Sequence, residues 1–218
     1  MTYALLNLPR PSDTDLTYTN PLARILRHSV YGWLRLRPAL AQHTAAEHEA
    51  LGRWATGRSS IVEIGVAEGV SALAMREAMT ERGTLYLIDP FHLSRMPALN
   101  FTKRAAHRIV EASSRGTVVW MEQFSTDAAA TWRMPIDLLM IDGDHCEDGV
   151  RRDWSDWSRF VPPGGAVIFH DARLFEGGWT TPSYGPVRVV DDLFRNKRIP
   201  KWSIAEEVHS LVVVERLR

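Results

Sequence analysis

An α/β fold with a mainly parallel sheet is predicted by three observations. Apolar, strand-like runs alternate with helical patterns from about residue 60 to residue 169, which is the signature of repeated βα units whose crossovers leave neighbouring strands parallel. The first run, Ile61-Val62-Glu63-Ile64, ends in a turn punctuated by Gly65 and Gly69 and then enters a helical pattern, as at the start of a nucleotide-binding βαβ unit. The last two runs, 202–208 and 211–215, are separated only by His209-Ser210. That is too short for a crossover helix, so they form a hairpin and give the sheet an antiparallel edge.

The elements follow in order. Thr44-Ala45-Ala46-Glu47 matches a capping box and starts a helix through Leu51 and Trp54. Strand 60–64 precedes a helix near 71–81, and strand 84–88 a helix near 102–113. Strand 117–121 is followed by a helix near 126–132, and strand 136–141 by a helix near 147–160 that sets Val150, Trp154 and Trp157 on one core-facing side. Pro162-Pro163-Gly164-Gly165 is a turn that launches strand 166–169. Before Thr44, prolines 9, 11 and 21 break the chain into loop-like pieces, and residues 22–34 read as one or two short helices with basic faces. This 1–43 segment reads as a lid over the substrate or an oligomer contact. Gly32 and Pro38 interrupt the pattern a membrane-surface helix would need.

Composition narrows the class. A chain of 218 residues with 45% hydrophobic content buries a full core as one domain, here 44–218. Lysine plus arginine equals aspartate plus glutamate at 26 each, so no global field recruits nucleic acid. The single Cys146 excludes an intrachain disulfide framework and fits a reducing cytoplasm. No signal peptide and no run of roughly 18 apolar residues is present, so stable membrane insertion is not expected.

The glycine turn carries the first chemistry. Gly65 and Gly69 let the backbone approach a ligand closely, and Asp89, which closes the run 84–88, can accept hydrogen bonds from both hydroxyls of a ribose. A dinucleotide fingerprint needs a further glycine where Ala67 stands, and Glu63 and Glu68 would repel a diphosphate. Two carboxylates instead suit a ligand with a cationic end, such as the ammonium and sulfonium of S-adenosylmethionine. Glu63 and Glu68 read as plain solvated or capping residues are the competing interpretation.

With these residues in register, the chain resembles the class I S-adenosylmethionine-dependent methyltransferases from about Thr44 to the C-terminus. Glu63-Ile64-Gly65-Val66-Ala67-Glu68-Gly69 is similar to their first motif and Asp89 to the acidic residue that holds the ribose. Met121-Glu122-Gln123-Phe124-Ser125-Thr126-Asp127-Ala128-Ala129 is similar to the segment that cups the adenine, which brings Phe124 and Ser125 into the expected cofactor site. The resemblance implies a Rossmann-like methyltransferase fold, a seven-stranded sheet with helices on both faces and an antiparallel C-terminal hairpin.

A second loaded site follows strands four and five. Asp142-Gly143-Asp144-His145 and His170-Asp171 both sit at carboxyl ends of strands, hence at the edge that also carries Gly65 and Asp89. Carboxylates packed so closely repel unless a cation, a proton or an arginine compensates, and a divalent metal is an economical answer. Turn-forming Asx hydrogen bonds would explain the same residues without a metal. These blocks resemble the metal-dependent small-molecule O-methyltransferases of the macrolide-sugar and catechol types. That resemblance implies Mg²⁺ or Mn²⁺ held by Asp142, which also borders the cofactor, and by His170 and Asp171. It departs from the family at His170, because imidazole is a poorer ligand for hard Mg²⁺ than an oxygen donor.

The combined expectation is methyl transfer to a hydroxyl of a small molecule, a sugar or phenolic group of a secondary metabolite or glycolipid. His145 or Asp144 takes the acceptor's proton, His145 being favoured because its ordinary pKa of about 6.5 suits transfer near neutrality. Residues 174–186, glycine-rich and aromatic, read as a substrate flap. Cys146 reads as a buried small residue at a helix start. A metal-dependent hydrolase or hydroxylase-like relative, and a non-enzymatic cofactor-binding protein, are the alternatives.

Overall fold

A computed structural model describes residues 41–91 and 100–218. The 1–43 segment therefore lies outside the described residues except for its last three. Seven strands form one sheet in the order β3-β2-β1-β4-β5-β7-β6. They are β1 (Ser60–Ile64), β2 (Thr84–Ile88), β3 (Thr117–Met121), β4 (Leu138–Ile141), β5 (Ala166–Phe169), β6 (Trp202–Val208) and β7 (Leu211–Arg216). The first five pair in parallel. β7 runs antiparallel to β5 and to β6, so the expected terminal hairpin is present and closes that side of the sheet.

Helices cover both faces. α1 (Ala45–Ala55), α2 (Val70–Ala78) and α3 (Phe101–Val110) supply Leu51, Met75 and Val110 to one apolar layer. α4 (Ser125–Thr131), α5 (Glu147–Trp157) and α6 (Gly185–Val190) supply Ala128, Val150, Trp154, Trp157 and Val190 to the other. The strands feed the layers alternately. Leu138 and Met140 of β4 point to the first layer and Leu139 and Ile141 to the second, as the period of two requires. Among the described residues no helix is long and apolar enough to cross a membrane.

The capping box at Thr44 forms, with the Thr44 side chain accepting from Glu47 N and Glu47 accepting from Thr44 N. Several helix ends differ from expectation because tertiary partners capture the last carbonyls. α2 stops at Ala78 rather than near 81, its Met79 carbonyl taken by Arg115 Nη1 at 2.9 Å. α3 stops at Val110 rather than near 113, where buried Arg76 donates Nη1 to Val110 O at 2.7 Å and Nε to Arg115 O at 2.8 Å. α6, which continues as a π-helical stretch Asp191–Asn196, had no counterpart in the sequence reading. It begins inside the glycine-rich stretch 174–186, and Pro186 in its first turn, a favoured place for proline, resembles loop chemistry in sequence.

Candidate active site

The parallel register brings the chemistry to one edge. Ile64 pairs with Ile88 on one side and Ile141 on the other, and Ile141 pairs with Phe169. The residues immediately after these, Gly65, Asp89, Asp142 and His170, therefore emerge side by side at the point where the strand order reverses.

Gly65 sits at φ +86°, and a Cβ there would stand 2.2 Å from the Asp142 carbonyl oxygen. Both the left-handed backbone and the close approach demand glycine. Ala67 (φ +47°) and Gly69 (φ +81°) continue the turn into α2. Asp89 holds the turn from outside: Oδ2 accepts from Val66 N at 2.9 Å and Ala67 N at 3.2 Å, while Oδ1 accepts from Phe91 N at 2.7 Å. A carboxylate offers about four lone-pair positions, so these bonds leave room for hydroxyl donors.

Glu63 and Glu68 are both buried, at 0% and 6% exposure, not solvated. Ser71 Oγ donates to Glu63 Oε1, and Glu63 Oε2 has no hydrogen-bond partner. Burial raises the Glu63 pKa well above the usual carboxylate range, with Asp142 and Asp89 adding to the rise. Phe124, at the start of α4, is half exposed. Ser125 turns away, its hydroxyl donating to Asp153 Oδ1 at 2.5 Å and its carbonyl accepting from Trp157 Nε1 at 3.2 Å.

At the second site His145 Nε2 lies 3.1 Å from Asp171 Oδ2 and 3.9 Å from Asp142 Oδ1. The Asp171 contact raises the His145 pKa, against the opposing effect of burial. Asp171 Oδ1 accepts the indole N–H of Trp179 at 2.5 Å. Burial disfavours ionised Asp171, but His145, His170 and Trp179 together outweigh it and hold the carboxyl below its ordinary pKa. His170 is 2% exposed, with Nδ1 3.0 Å from Asp142 Oδ1 and 3.4 Å from Asp171 Oδ1. Neither of its nitrogens completes an aligned hydrogen bond. Burial pulls its pKa down, yet the Asp142 and Asp171 carboxylates prevail and push it up to about 9.

Asp144 is engaged elsewhere. Its Oδ1 accepts from Cys146 N at 2.9 Å and its Oδ2 from the Cys146 thiol at 2.9 Å, which lowers its pKa. A Cβ on Gly149 would stand 2.3 Å from Asp144 Oδ2, so Gly149 makes room for this arrangement. Cys146 itself is exposed, not buried, and its sulfur caps α5 by accepting from Gly149 N at 3.3 Å. Asp144 is thus bound up in its own turn, whereas His145 faces Asp171 across the strand ends.

The metal expectation for Asp142, His170 and Asp171 finds no support. Among the described residues no group of three or more His, Cys, Asp or Glu side chains is placed to hold an ion. The donor chemistry explains why: both Asp171 oxygens face N–H groups of His145 and Trp179, and Asp142 Oδ1 faces His170. The repulsion that called for a cation is partly met by His170, whose pKa the Asp142 and Asp171 carboxylates push up to about 9.

A family described as "Methyltransferase domain" matches residues 62–172, from β1 to just past β5. The chain belongs to this methyltransferase family. Similar solved structures include the O-methyltransferase TomG from Streptomyces achromogenes in complex with SAM, 17% identical over 94% of this chain and 93% of that one, with a TM-score of 0.63. The O-methyltransferase from Bacillus cereus in complex with SAH is 14% identical over 93% and 94% of the two chains, TM-score 0.58. The N-methyltransferase NodS from Bradyrhizobium japonicum is 17% identical over 79% and 95%, TM-score 0.51. At such identities the likeness concerns the fold, and an O- and an N-methyltransferase share it.

Three residues of this methyltransferase escaped the sequence reading. Trp179 and Tyr184 were expected only as members of a flap, yet Trp179 donates to Asp171. Tyr184 packs edge-on against the His145 ring, centroids 6.1 Å apart at 77°. Asp153 lies beyond one turn of α5 and reaches back to Ser125. No spacing rule links these positions to the strand ends; only the path of the loop and the pitch of α5 do.

Proposed function

We propose that the protein transfers a methyl group from SAM to a hydroxyl of a small molecule, with His145 as the general base. The observation that carries this is the His145 Nε2–Asp171 Oδ2 contact of 3.1 Å, made at the same strand edge as the glycine turn. A carboxylate beside Nε2 favours a proton on that nitrogen and leaves Nδ1 to accept one. The acceptor oxygen attacks the methyl carbon as the carbon–sulfur bond breaks, and the electron pair returns to sulfur to give a neutral thioether. The hydroxyl proton goes to His145 Nδ1.

The donor assignment is supported by Glu63, whose buried Oε2 has no partner, by Asp89 beside the glycine turn, and by the SAM and SAH complexes of structural relatives. The Tyr184 ring against His145 and the Trp179 indole on Asp171 support a ring-shaped acceptor, a sugar or a phenol. The lone exposed Cys146 fits a reducing cytoplasm. Metal assistance through Asp142, His170 and Asp171 is the weaker version, because the Asp171 oxygens already face His145 and Trp179 and Asp142 Oδ1 lies against His170.

Labelled SAM offered with a panel of sugar and phenolic acceptors, with and without chelator, tests the reading. Transfer to a hydroxyl that survives chelation is expected. His145→Ala should lower the rate by about 10² to 10⁴ while SAM affinity stays near that of the parent, and Asp144→Asn should cost far less. Chelator-sensitive transfer restored by Mg²⁺ would reinstate the metal, and a fully active His145→Ala enzyme would remove the base.

A further inference from the structure

Asp171 is 4% exposed and adopts φ +53°, a left-handed conformation at the end of β5 that a non-glycine residue rarely takes. From there one carboxylate serves two donors, Trp179 Nε1 on Oδ1 and His145 Nε2 on Oδ2. The Trp179 ring is itself held. Phe175 meets it edge-on with centroids 5.2 Å apart, and Phe175 lies flat on His209 at 4.9 Å and 6°. The ring of Phe175 occupies the space a side chain at Gly178 would need, since a Cβ there would stand 2.5 Å from it. Thr180 Oγ1 closes the loop by donating to Arg173 O at 2.7 Å. The stretch expected as a flap thus presents one built hydrogen-bond donor to the centre of the site.

We propose that Trp179 is a positioning residue for His145: its indole N–H fixes the Asp171 carboxylate so that Oδ2 faces His145 Nε2, the orienting task a bound ion would otherwise perform. This rests on the reading of His145 as the base. A base aligned through an intermediary carboxylate needs that carboxylate held in rotation, and a carboxylate with one oxygen anchored by an N–H cannot swing away without losing the bond.

The test needs no acceptor. In full-length protein with ¹⁵N-labelled histidine and chelator present, solvent exchange of the His145 Nε2 proton is followed by NMR, the signal being assigned by its loss in His145→Asn. Slow exchange is expected in the parent, at least tenfold faster exchange in Trp179→Phe, and the same acceleration in Asp171→Asn. Adding Trp179→Phe to Asp171→Asn should cause no further change, because Trp179 acts only through Asp171. Trp179→His, which keeps a ring N–H donor, should restore part of the protection. Unchanged exchange in Trp179→Phe, an equal loss in Trp179→His, or an added effect in the Asp171→Asn background would overturn the proposal. So would a saturable displacement of the His145 signal by Mg²⁺. Full methyl transfer by His145→Ala would end the base assignment alone and leave the exchange result standing.

Discussion

Asp153 is a carboxylate in a place that disfavours charge. Burial raises its pKa to about 6, Asp144 and Asp156 add to the rise, and the Ser125 hydroxyl only partly offsets it. The folded state therefore binds this proton more tightly than the unfolded chain does, and the stability it lends is fully present below the ordinary value of 3.8 and lost as pH rises through about 6. A shift of this size corresponds to roughly 2–3 kcal/mol. Asp153→Asn should thus match the parent near pH 4 and exceed it in stability at pH 7.5, as read by urea unfolding across that range. Parallel curves for the two proteins would show that the carboxyl is not perturbed. Such a residue is hard to find in a sequence, because its perturbation comes from α4 and α5 meeting, whereas Asp142 and His170 announce themselves by following apolar strands directly.

The glycine turn between β1 and α2 was legible because its requirement is local: an apolar run, a positive φ, a helix. Its severity was not, since the obstacle is the backbone of β4's end, seventy-odd positions away. Gly65→Ala should therefore cost several times more than an ordinary left-handed glycine. Gly57 supplies the control, with φ +76° and nothing within 4 Å of a built Cβ. Gly57→Ala should lose about 1 kcal/mol from backbone strain alone. Gly65→Ala adds a 2.2 Å clash with Asp142 O that neither strand can relieve without parting. Thermal unfolding should show a clearly larger loss for Gly65→Ala and, where the protein still folds, calorimetry should show weakened SAM binding. Equal losses at the two positions would mean that the β1–β4 approach is looser than it stands here. The α6 helix was the element least open to sequence reasoning, because a glycine–proline start looks like a turn until the burial of Val187, Val189 and Val190 is known.

Across the whole chain, the beginning of the described fold is tied to its end through one buried side chain. Glu47, 0% exposed, accepts from Thr44 N at 2.6 Å and, across the molecule, from Ser210 N at 2.7 Å and Ser210 Oγ at 2.6 Å. It thus caps α1 and pins the β6–β7 turn with the same carboxylate. Hydrogen bonds to a charged group are worth about 1.5–3 kcal/mol each, so Glu47→Ala should destabilise by roughly 3 kcal/mol or more. Amide exchange should quicken in both α1 and the hairpin turn. Quickening confined to α1 would reduce Glu47 to a helix cap. The sequence showed the capping box and the hairpin separately; that one residue serves both follows only from their meeting in space.

Gly185 N donates to His145 O at 3.1 Å, and a Cβ at Gly185 would stand 2.4 Å from the Cys146 carbonyl carbon. His145 and the start of α6 are thereby locked backbone to backbone, while the loop's other neck is closed between Thr180 and Arg173. Leu174, Glu176, Gly177 and residues 181–183 project to solvent between these anchors. The loop is accordingly a replaceable tip on a fixed stem: those outward positions can be altered, or the tip lengthened, without disturbing the backbone that carries His145.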